Sequence, residues 1–391
     1  RSPGDPMLLV QQSLAQLRLW HIDPHASSSL ASSAQSLARN VLEQSPHVGE
    51  AHLALGIHAL LHANWIVAAR RLEEAVRCSP GLADAHAWLG QMHCWTGLTE
   101  QGLRMIDVAL RLDPHNLVAF WAASYAMGLH GEPGKAYELL DRADAFVARH
   151  PATVAARLRI AIWNGDRSML ASTHGAVSPA MLPSDHLHTS MARLVLDPEP
   201  DQEIGALTAY AASPDAPPYC RGRVMQAVAE RAALGGMTED AWSAIRAAAP
   251  NSIDAVWFLR CPALVRLART PAFLSLRSHV AARAAQVFAP PAAWARSPPP
   301  RSIWPKAWPR PTWSSFARRW GTLSTTFAKP QPPARRERSS PTLAALRPVS
   351  SQRSTKACPT AAASSAAIPS PAANAAGPTP PRPICSMAAW R

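Results

Sequence analysis

Residues 80–114 read PGLADAHAWLGQMHCWTGLTEQGLRMIDVALRLDP, and the same pattern of residue types recurs on both sides of them. Prolines stand 34 residues apart at Pro46, Pro80 and Pro114. Three further rows keep this period: Ala75, Ala109 and Ala143; Gly56 and Gly90, with Ser124 in the third place; and Leu72, Ile106 and Leu140. A fixed period of this length indicates stacked supersecondary units rather than one closed globule.

Each unit predicts two amphipathic helices joined by a tight turn. In the first unit, apolar residues recur at intervals of three and four from Leu53 to Leu61 and again from Ile66 to Val76, which is the spacing of one helix face. The second unit predicts a helix from about Leu82 to Trp95 and another that Thr99 caps and that ends at Leu112. The third unit repeats this arrangement.

These helix pairs resemble the tetratricopeptide repeat (TPR) over residues 47–150. The Leu-Gly pairs at 55–56 and 89–90 and the alanines of the 34-residue rows match that family's pattern. His52, His86 and Phe120 stand where the family usually has tryptophan, so the repeats are degenerate. The resemblance implies an all-α fold, a right-handed TPR-like solenoid of helix pairs, and a protein-interaction scaffold as its function.

Four segments are predicted along the chain. They are a degenerate N-terminal helix pair at 5–46, three TPR-like repeats at 47–150, further helical hairpins at 151–289, and a disordered, low-complexity tail at 290–391. Within the third segment, residues 219–249 predict a helical hairpin with Thr238 as the N-cap of its second helix.

The tail differs from the rest of the chain in composition. It holds 20 of the 38 prolines, and it carries 15 Lys and Arg but a single acidic residue, Glu337. Such a segment cannot bury a core. Three interpretations stay open: a disordered linker, a tail whose interleaved Trp and Arg bind single-stranded nucleic acid or a membrane surface, or GC-rich DNA read out of frame.

Without the tail, the chain is nearly neutral. Residues 1–289 carry 24 Lys and Arg and 25 Asp and Glu, a net charge of −1, against +13 for the whole chain. Nucleic acid is therefore not a predicted partner of this part, because such binding needs an excess of basic groups. Of those 24 basic residues 23 are arginine, which favours a GC-rich bacterial source.

The cysteines and the hydropathy pattern together predict the cellular compartment of the protein. The six cysteines form no Cys-x-x-Cys pair, and reduced thiols in a cytoplasmic protein are the simplest interpretation. The sequence has no run of about 18 apolar residues, which a membrane-spanning helix needs. No membrane span is therefore predicted.

No common catalytic signature occurs in the sequence, so an enzyme is not predicted. Residues 131–135 faintly resemble a phosphate-binding loop but lack its first glycine and the Ser or Thr after Lys135, and they are interpreted as a turn between helices. His86, His93 and Cys94 share one predicted helix, yet no neighbour completes a tetrahedral metal site. They are interpreted as core or groove residues, and no cofactor or metal is predicted.

In the TPR family the first helix of each pair lines a concave groove. The resemblance places seven residues of this chain there: Leu53, Ile57, Gln91, Cys94, Trp95, Trp121 and Tyr125. None of them is the Lys, Arg or Asn with which such grooves hold a C-terminal carboxylate. An apolar peptide or helix is therefore the expected ligand. The alternative is that neighbouring repeats or flanking helices of the chain cover this surface.

A second resemblance concerns the stretch before the tail. The segments 257–259, 263–264 and 271–273, together with Leu276, are similar to the end of the TPR region in some bacterial regulators. Those proteins attach such repeats to a winged-helix DNA-binding domain or a nucleotide cyclase domain. This resemblance implies an alternative function: the sensory or oligomerising part of a bacterial transcriptional regulator whose effector domain lies upstream of Arg1.

Overall fold

The computed structural model describes residues 5–178, 181–182, 185–265 and 267–289, and every regular element within them is helical. The disordered tail predicted at 290–391, with its three interpretations, lies outside the described residues. No helix of the described residues is long and apolar enough to cross a membrane.

Sixteen α-helices follow one another along the described residues. In chain order they are α1 Pro6–Ile22, α2 Ser29–Gln44, α3 Gly49–Leu61, α4 Trp65–Cys78, α5 Ala83–Trp95, α6 Thr99–Leu112, α7 Leu117–Leu129, α8 Pro133–Asp144, α9 Pro151–Asn164, α10 Arg167–Ala176, α11 Leu187–Leu196, α12 Asp201–Ala212, α13 Pro218–Leu234, α14 Thr238–Ala248, α15 Ala255–Arg260 and α16 Pro271–Val287.

The helices stack as pairs. Extensive packing joins α1 to α2, α3 to α4, α5 to α6, α7 to α8 and α13 to α14, while the first helices α1, α3, α5, α7 and α9 contact one another in sequence. Each pair leaves an apolar face that only the next pair covers. The all-α class and the TPR-like stacking of helix pairs predicted from the 34-residue period are confirmed.

Two predicted helix caps are wrong by one residue. Thr99 and Thr238 are the first residues of α6 and α14, and the cap positions belong to Leu98 and Met237, which make no side-chain cap hydrogen bond. The left-handed backbone of the preceding glycine, Gly97 or Gly236, already turns the chain into the helix. The Thr99 hydroxyl instead pairs with His130 Nε2 at 3.1 Å, across to the turn of the next repeat.

Two histidines, at the position where tryptophan is usual in a TPR, make the same hydrogen bond in successive helix pairs. His52 Nε2 donates to the carbonyl oxygen of Pro46, and His86 Nε2 donates to that of Pro80, each at 2.9 Å. Each hydrogen bond ties the first helix of a repeat to the proline that closes the repeat before it. At the third equivalent position, Phe120 is fully buried and makes an aromatic contact with Phe146 instead.

Helices α5 and α6 approach each other closely at two glycines. A Cβ atom built on Gly102 would lie 2.5 Å from the carbonyl oxygen of Gly90, and one built on Gly90 would lie 2.8 Å from that of Gly102. These two oxygens belong to the backbone, which cannot turn aside as a side chain can. The two helices are therefore held at a distance that only glycine permits at both positions.

Gly102→Ala should lower the free energy of unfolding by about 1–3 kcal/mol, because the added methyl group forces two packed backbones apart. The measurement is urea denaturation of the full chain, followed by circular dichroism. Gly205→Ala in α12 is the matched control, since a Cβ there meets nothing within 4 Å. That control should be neutral or stabilise the fold by up to about 1 kcal/mol; equal effects of the two changes would contradict the close-approach argument.

Candidate functional site: the concave interior

The first helices place one residue of each repeat at the same point of the inner face. Ile57, Gln91 and Tyr125 stand 34 residues apart on α3, α5 and α7, and the register continues to Arg159 on α9. This row belongs to the surface that a TPR solenoid turns towards its axis. The seven predicted groove residues lie on the same three helices, α3, α5 and α7.

The chain itself covers this surface. Helix α13 packs against α3, α9 and α11, and α15 packs against α5 and α7. Of the seven predicted groove residues only Trp121 is partly exposed; the buried ones are Leu53, Ile57, Gln91, Cys94, Trp95 and Tyr125. An external peptide could reach them only if α13 and the segment around Asp254 moved away.

All three aromatic residues of the predicted groove surround a cation from α13. The guanidinium carbon of Arg223 lies 4.4 Å from the ring centre of Tyr125, 4.8 Å from that of Trp121 and 5.8 Å from that of Trp95. A cation over aromatic faces at such distances is attracted by the ring quadrupoles, and more strongly when water is excluded. The aromatic residues that the sequence offered as peptide anchors thus hold an arginine of the same chain.

Arg223 also organises a buried hydrogen-bond network. Its Nη1 donates to Asp254 Oδ2 at 3.0 Å, to the Tyr125 hydroxyl at 2.9 Å and to Gln226 Oε1 at 2.9 Å. The Tyr125 hydroxyl in turn donates to Asp254 Oδ2 at 2.5 Å. Burial raises the pKa of Asp254, while Arg223 and the Tyr125 hydroxyl oppose that rise by stabilising the carboxylate.

A second buried ion pair lies two helical turns further along α13. Arg159 Nε and Nη2 donate to the two carboxylate oxygens of Glu230 at 3.0 and 2.6 Å, and Trp257 Nε1 donates to the same carboxylate at 2.5 Å. Arg159 and Glu230 are only 3% and 1% exposed. Burial alone would lower the pKa of Arg159, but Glu230 raises it above its usual value, so the guanidinium keeps its charge.

Little space remains around these networks. The cavity between Trp65, Trp95, Tyr219 and Arg223 measures about 10 Å³, which is roughly what the centre of one water molecule needs. The described residues contain no group of three or more His, Cys, Asp and Glu side chains that could hold a metal ion. With α13 in place, this cavity therefore has room for nothing larger than one water molecule.

The charges of this interior are absent from the groove predicted from the sequence. No cation stands among the seven predicted groove residues, but the structure brings Arg159 and Arg223 to the same face. Counting 34 residues on from Tyr125 would have found Arg159. Arg223 and Glu230 stand seven apart on α13, which puts two charges on one buried face of the helix. Asp254 had no such signal beyond its position before a short apolar helix.

Comparisons with known proteins add little to this picture. No protein-family model matches the sequence, and no curated protein matches it. Among solved structures, the crystal structure of PilW, described as a widely conserved type IV pilus biogenesis factor, is similar at 13% sequence identity, over 69% of this chain and 97% of that chain, with a TM-score of 0.36. A likeness at this level assigns no function to the chain.

Proposed function

We propose that this protein is a protein-interaction scaffold whose concave groove recognises an apolar helix that carries an arginine and, two turns later, a carboxylate. The supporting observation is the way in which the groove holds α13. Recognition of a helix in a groove uses side chains at spacings of three, four and seven along one helix face. Tyr219, Arg223, Gln226 and Glu230 have this spacing on α13, and all four are buried.

Each of these positions has a partner that fits its chemistry. The ring of Tyr219 lies 5.5 Å from that of Trp95 and 6.2 Å from that of Trp65. Arg223 lies among the aromatic side chains, and Glu230 pairs with Arg159. Apolar contacts contribute most of the affinity in such an arrangement, whereas the charged pairs select the helix and fix its register.

A partner helix must compete with α13 for this surface. The apparent affinity of a groove that is open only part of the time falls in proportion to the open fraction. A substitution that weakens the binding of α13 in the groove, without unfolding the solenoid, should therefore increase the affinity for an external helix. Glu230→Gln is such a change, because it removes the charge that pairs with Arg159 but keeps an acceptor for Trp257.

We expect a fluorescent peptide of residues 218–234 to bind the full-length Glu230→Gln variant at least about tenfold more tightly than wild type, a difference of about 1.4 kcal/mol. Fluorescence anisotropy in reducing buffer measures the binding. We expect this gain in affinity because the peptide supplies Arg159 with the carboxylate that the variant has lost. The exposed Glu239→Gln serves as the matched control and should leave binding at the wild-type level.

The peptide itself supplies the second control. A peptide with Gln at position 230, or with Gln at position 223, should lose the gain in affinity. If the Glu230→Gln protein stays folded but binds no peptide, α13 is a permanent part of the core and the groove is not an interaction site. Circular dichroism of each variant establishes that the protein is folded.

A further inference from the structure

Four histidine rings form a continuous row where the first helix meets the later ones. The ring centres of His21 and His188 lie 6.2 Å apart, those of His188 and His186 lie 5.0 Å apart, and those of His186 and His150 lie 5.7 Å apart. His21 lies in the last turn of α1, His150 precedes α9, His186 precedes α11, and His188 is the second residue of α11. We call this row the histidine cluster.

Two members of the histidine cluster cap helices through a nitrogen lone pair. His150 Nδ1 accepts the N–H of Ala152 at 3.1 Å and is the N-cap of α9. His186 Nδ1 accepts the N–H of His188 at 3.2 Å and is the N-cap of α11. A protonated imidazole has no lone pair to accept with, because both of its nitrogens are donors. Its positive charge would also face the positive end of the helix dipole.

The histidine cluster joins α1 to the segment that fills the groove. The His21 ring lies 5.8 Å from that of Tyr219 on α13 and 5.8 Å from that of Trp88 on α5. Trp20 Nε1 donates to the carbonyl oxygen of Asp215 at 2.7 Å, and Cys220 Sγ donates to that of His21 at 3.6 Å. The end of α1, the start of α11 and the start of α13 are thus held against one another.

The neighbouring elements supply few negative charges to offset added protons. Asp144, at the end of α8, acts on His150 but already pairs with Arg157 at 2.9 Å. From α13, Arg223 adds positive charge near His188. On α11 itself, Arg193 donates to the carbonyl oxygen of Leu182 and acts on Glu203 of α12. Asp23, just after α1, acts on Tyr210 of α12. Protonation of several rings together would therefore leave a net positive cluster.

We propose that the histidine cluster is an acid-sensitive latch, in which protonation removes the caps of α9 and α11 and releases the end of α1 and the start of α13 from α11. This inference does not depend on the proposed ligand of the groove. The physical reason is that the folded structure favours neutral rings. The two cap hydrogen bonds need an imidazole lone pair, and protonated rings at these distances would repel one another.

The expected pH window follows from the direction of the pKa shifts. Burial lowers the pKa of His21 to about 4, and burial with the nearby His150 and His21 lowers the pKa of His186 to about 4. Burial also lowers the pKa of His150, although Asp144 opposes that shift. Burial and the nearby His186, His21 and His150 lower the pKa of His188. Because the unfolded chain takes up protons near pH 6.5, the latch is at full strength above that pH and weakens as the pH falls towards about 4.

The test compares wild type with the double variant His150→Asn/His186→Asn. Asparagine is a good N-cap and does not titrate, so this variant keeps both caps at every pH. Hydrogen exchange, corrected for the intrinsic effect of pH, is followed by mass spectrometry between pH 7 and pH 4. In wild type, residues 6–22 and 187–196 should lose protection at a higher pH than residues 83–112. In the variant that loss should move down by about half a pH unit or more.

The exposed His174→Asn is the control for a change of histidine number and should behave as wild type. If the double variant loses protection at the wild-type pH, or if all regions of wild type open together, the latch is overturned. Should the double variant fail to fold at pH 7, His186→Ser provides the same comparison, because serine is also a non-titrating N-cap.

Discussion

Replacing Glu230 with alanine should lower the free energy of unfolding by about 3–5 kcal/mol, because removal of one member of a buried ion pair leaves the other charge uncompensated. Arg159 would stay in the interior with neither carboxylate nor solvent to face. Trp257 would lose the acceptor of its indole N–H at the same time. Urea denaturation of the full chain at neutral pH measures the change.

Two further variants separate the charge from the packing. Glu230→Gln should lower the free energy of unfolding by less than Glu230→Ala does, since the amide oxygen still accepts from Trp257 and Arg159. Adding Arg159→Met to Glu230→Gln should recover part of the stability, because an apolar group in place of an unpaired buried charge removes the desolvation cost. A Glu230→Ala protein as stable as wild type would mean that α13 does not occupy the concave interior in solution.

Ala109→Arg should lower the free energy of unfolding by at least about 4 kcal/mol, because overpacking and burial of an unpaired charge act together. Ala109 is fully buried on α6, in a core cluster that also contains Ile106, Phe120 and Ala143. No space for a longer side chain remains between α6 and the next pair. Thermal unfolding followed by circular dichroism gives the shift of the midpoint.

The matched control for this change lies on the same helix. Leu112 is 45% exposed at the end of α6, so Leu112→Arg introduces the same side chain at a position where water can solvate it. That variant should differ from wild type by no more than about 0.5 kcal/mol. If Ala109→Arg and Leu112→Arg lower the free energy of unfolding equally, the inner face of α6 does not pack against the next repeat as the 34-residue register requires.

The solenoid was predictable because its contacts repeat locally. Each helix pair packs against its neighbours, and the small residues that permit this packing recur at the same period as the pairs. Ala75, Ala109 and Ala143 are all fully buried, which the period alone suggested. The cap errors at Thr99 and Thr238 arose because the glycine turn before each helix cannot be placed to within one residue from the sequence pattern.

The candidate site was predictable only in part. The spacing of Trp95, Trp121 and Tyr125 put them on adjacent first helices, and the structure indeed brings all three around one point. The residues that meet these aromatic rings, Arg223 and Asp254, do not belong to the 34-residue repeat pattern. The Arg223–Tyr125 hydrogen bond joins residues 98 positions apart, and the Tyr125–Asp254 bond joins residues 129 positions apart.

The sequence by itself determined the helix pairs, their order and the face on which each small residue lies, because these depend on contacts within one repeat or between adjacent repeats. Only the tertiary structure decided that α13 returns across the inner face, that Arg223 and Glu230 fill it with charge, and that the end of α1 meets α11 through four histidines. These contacts depend on how far the solenoid curves and on where residues 197–217 lead the chain. Curvature is the sum of small rotations over many repeats, and no single stretch of sequence carries it.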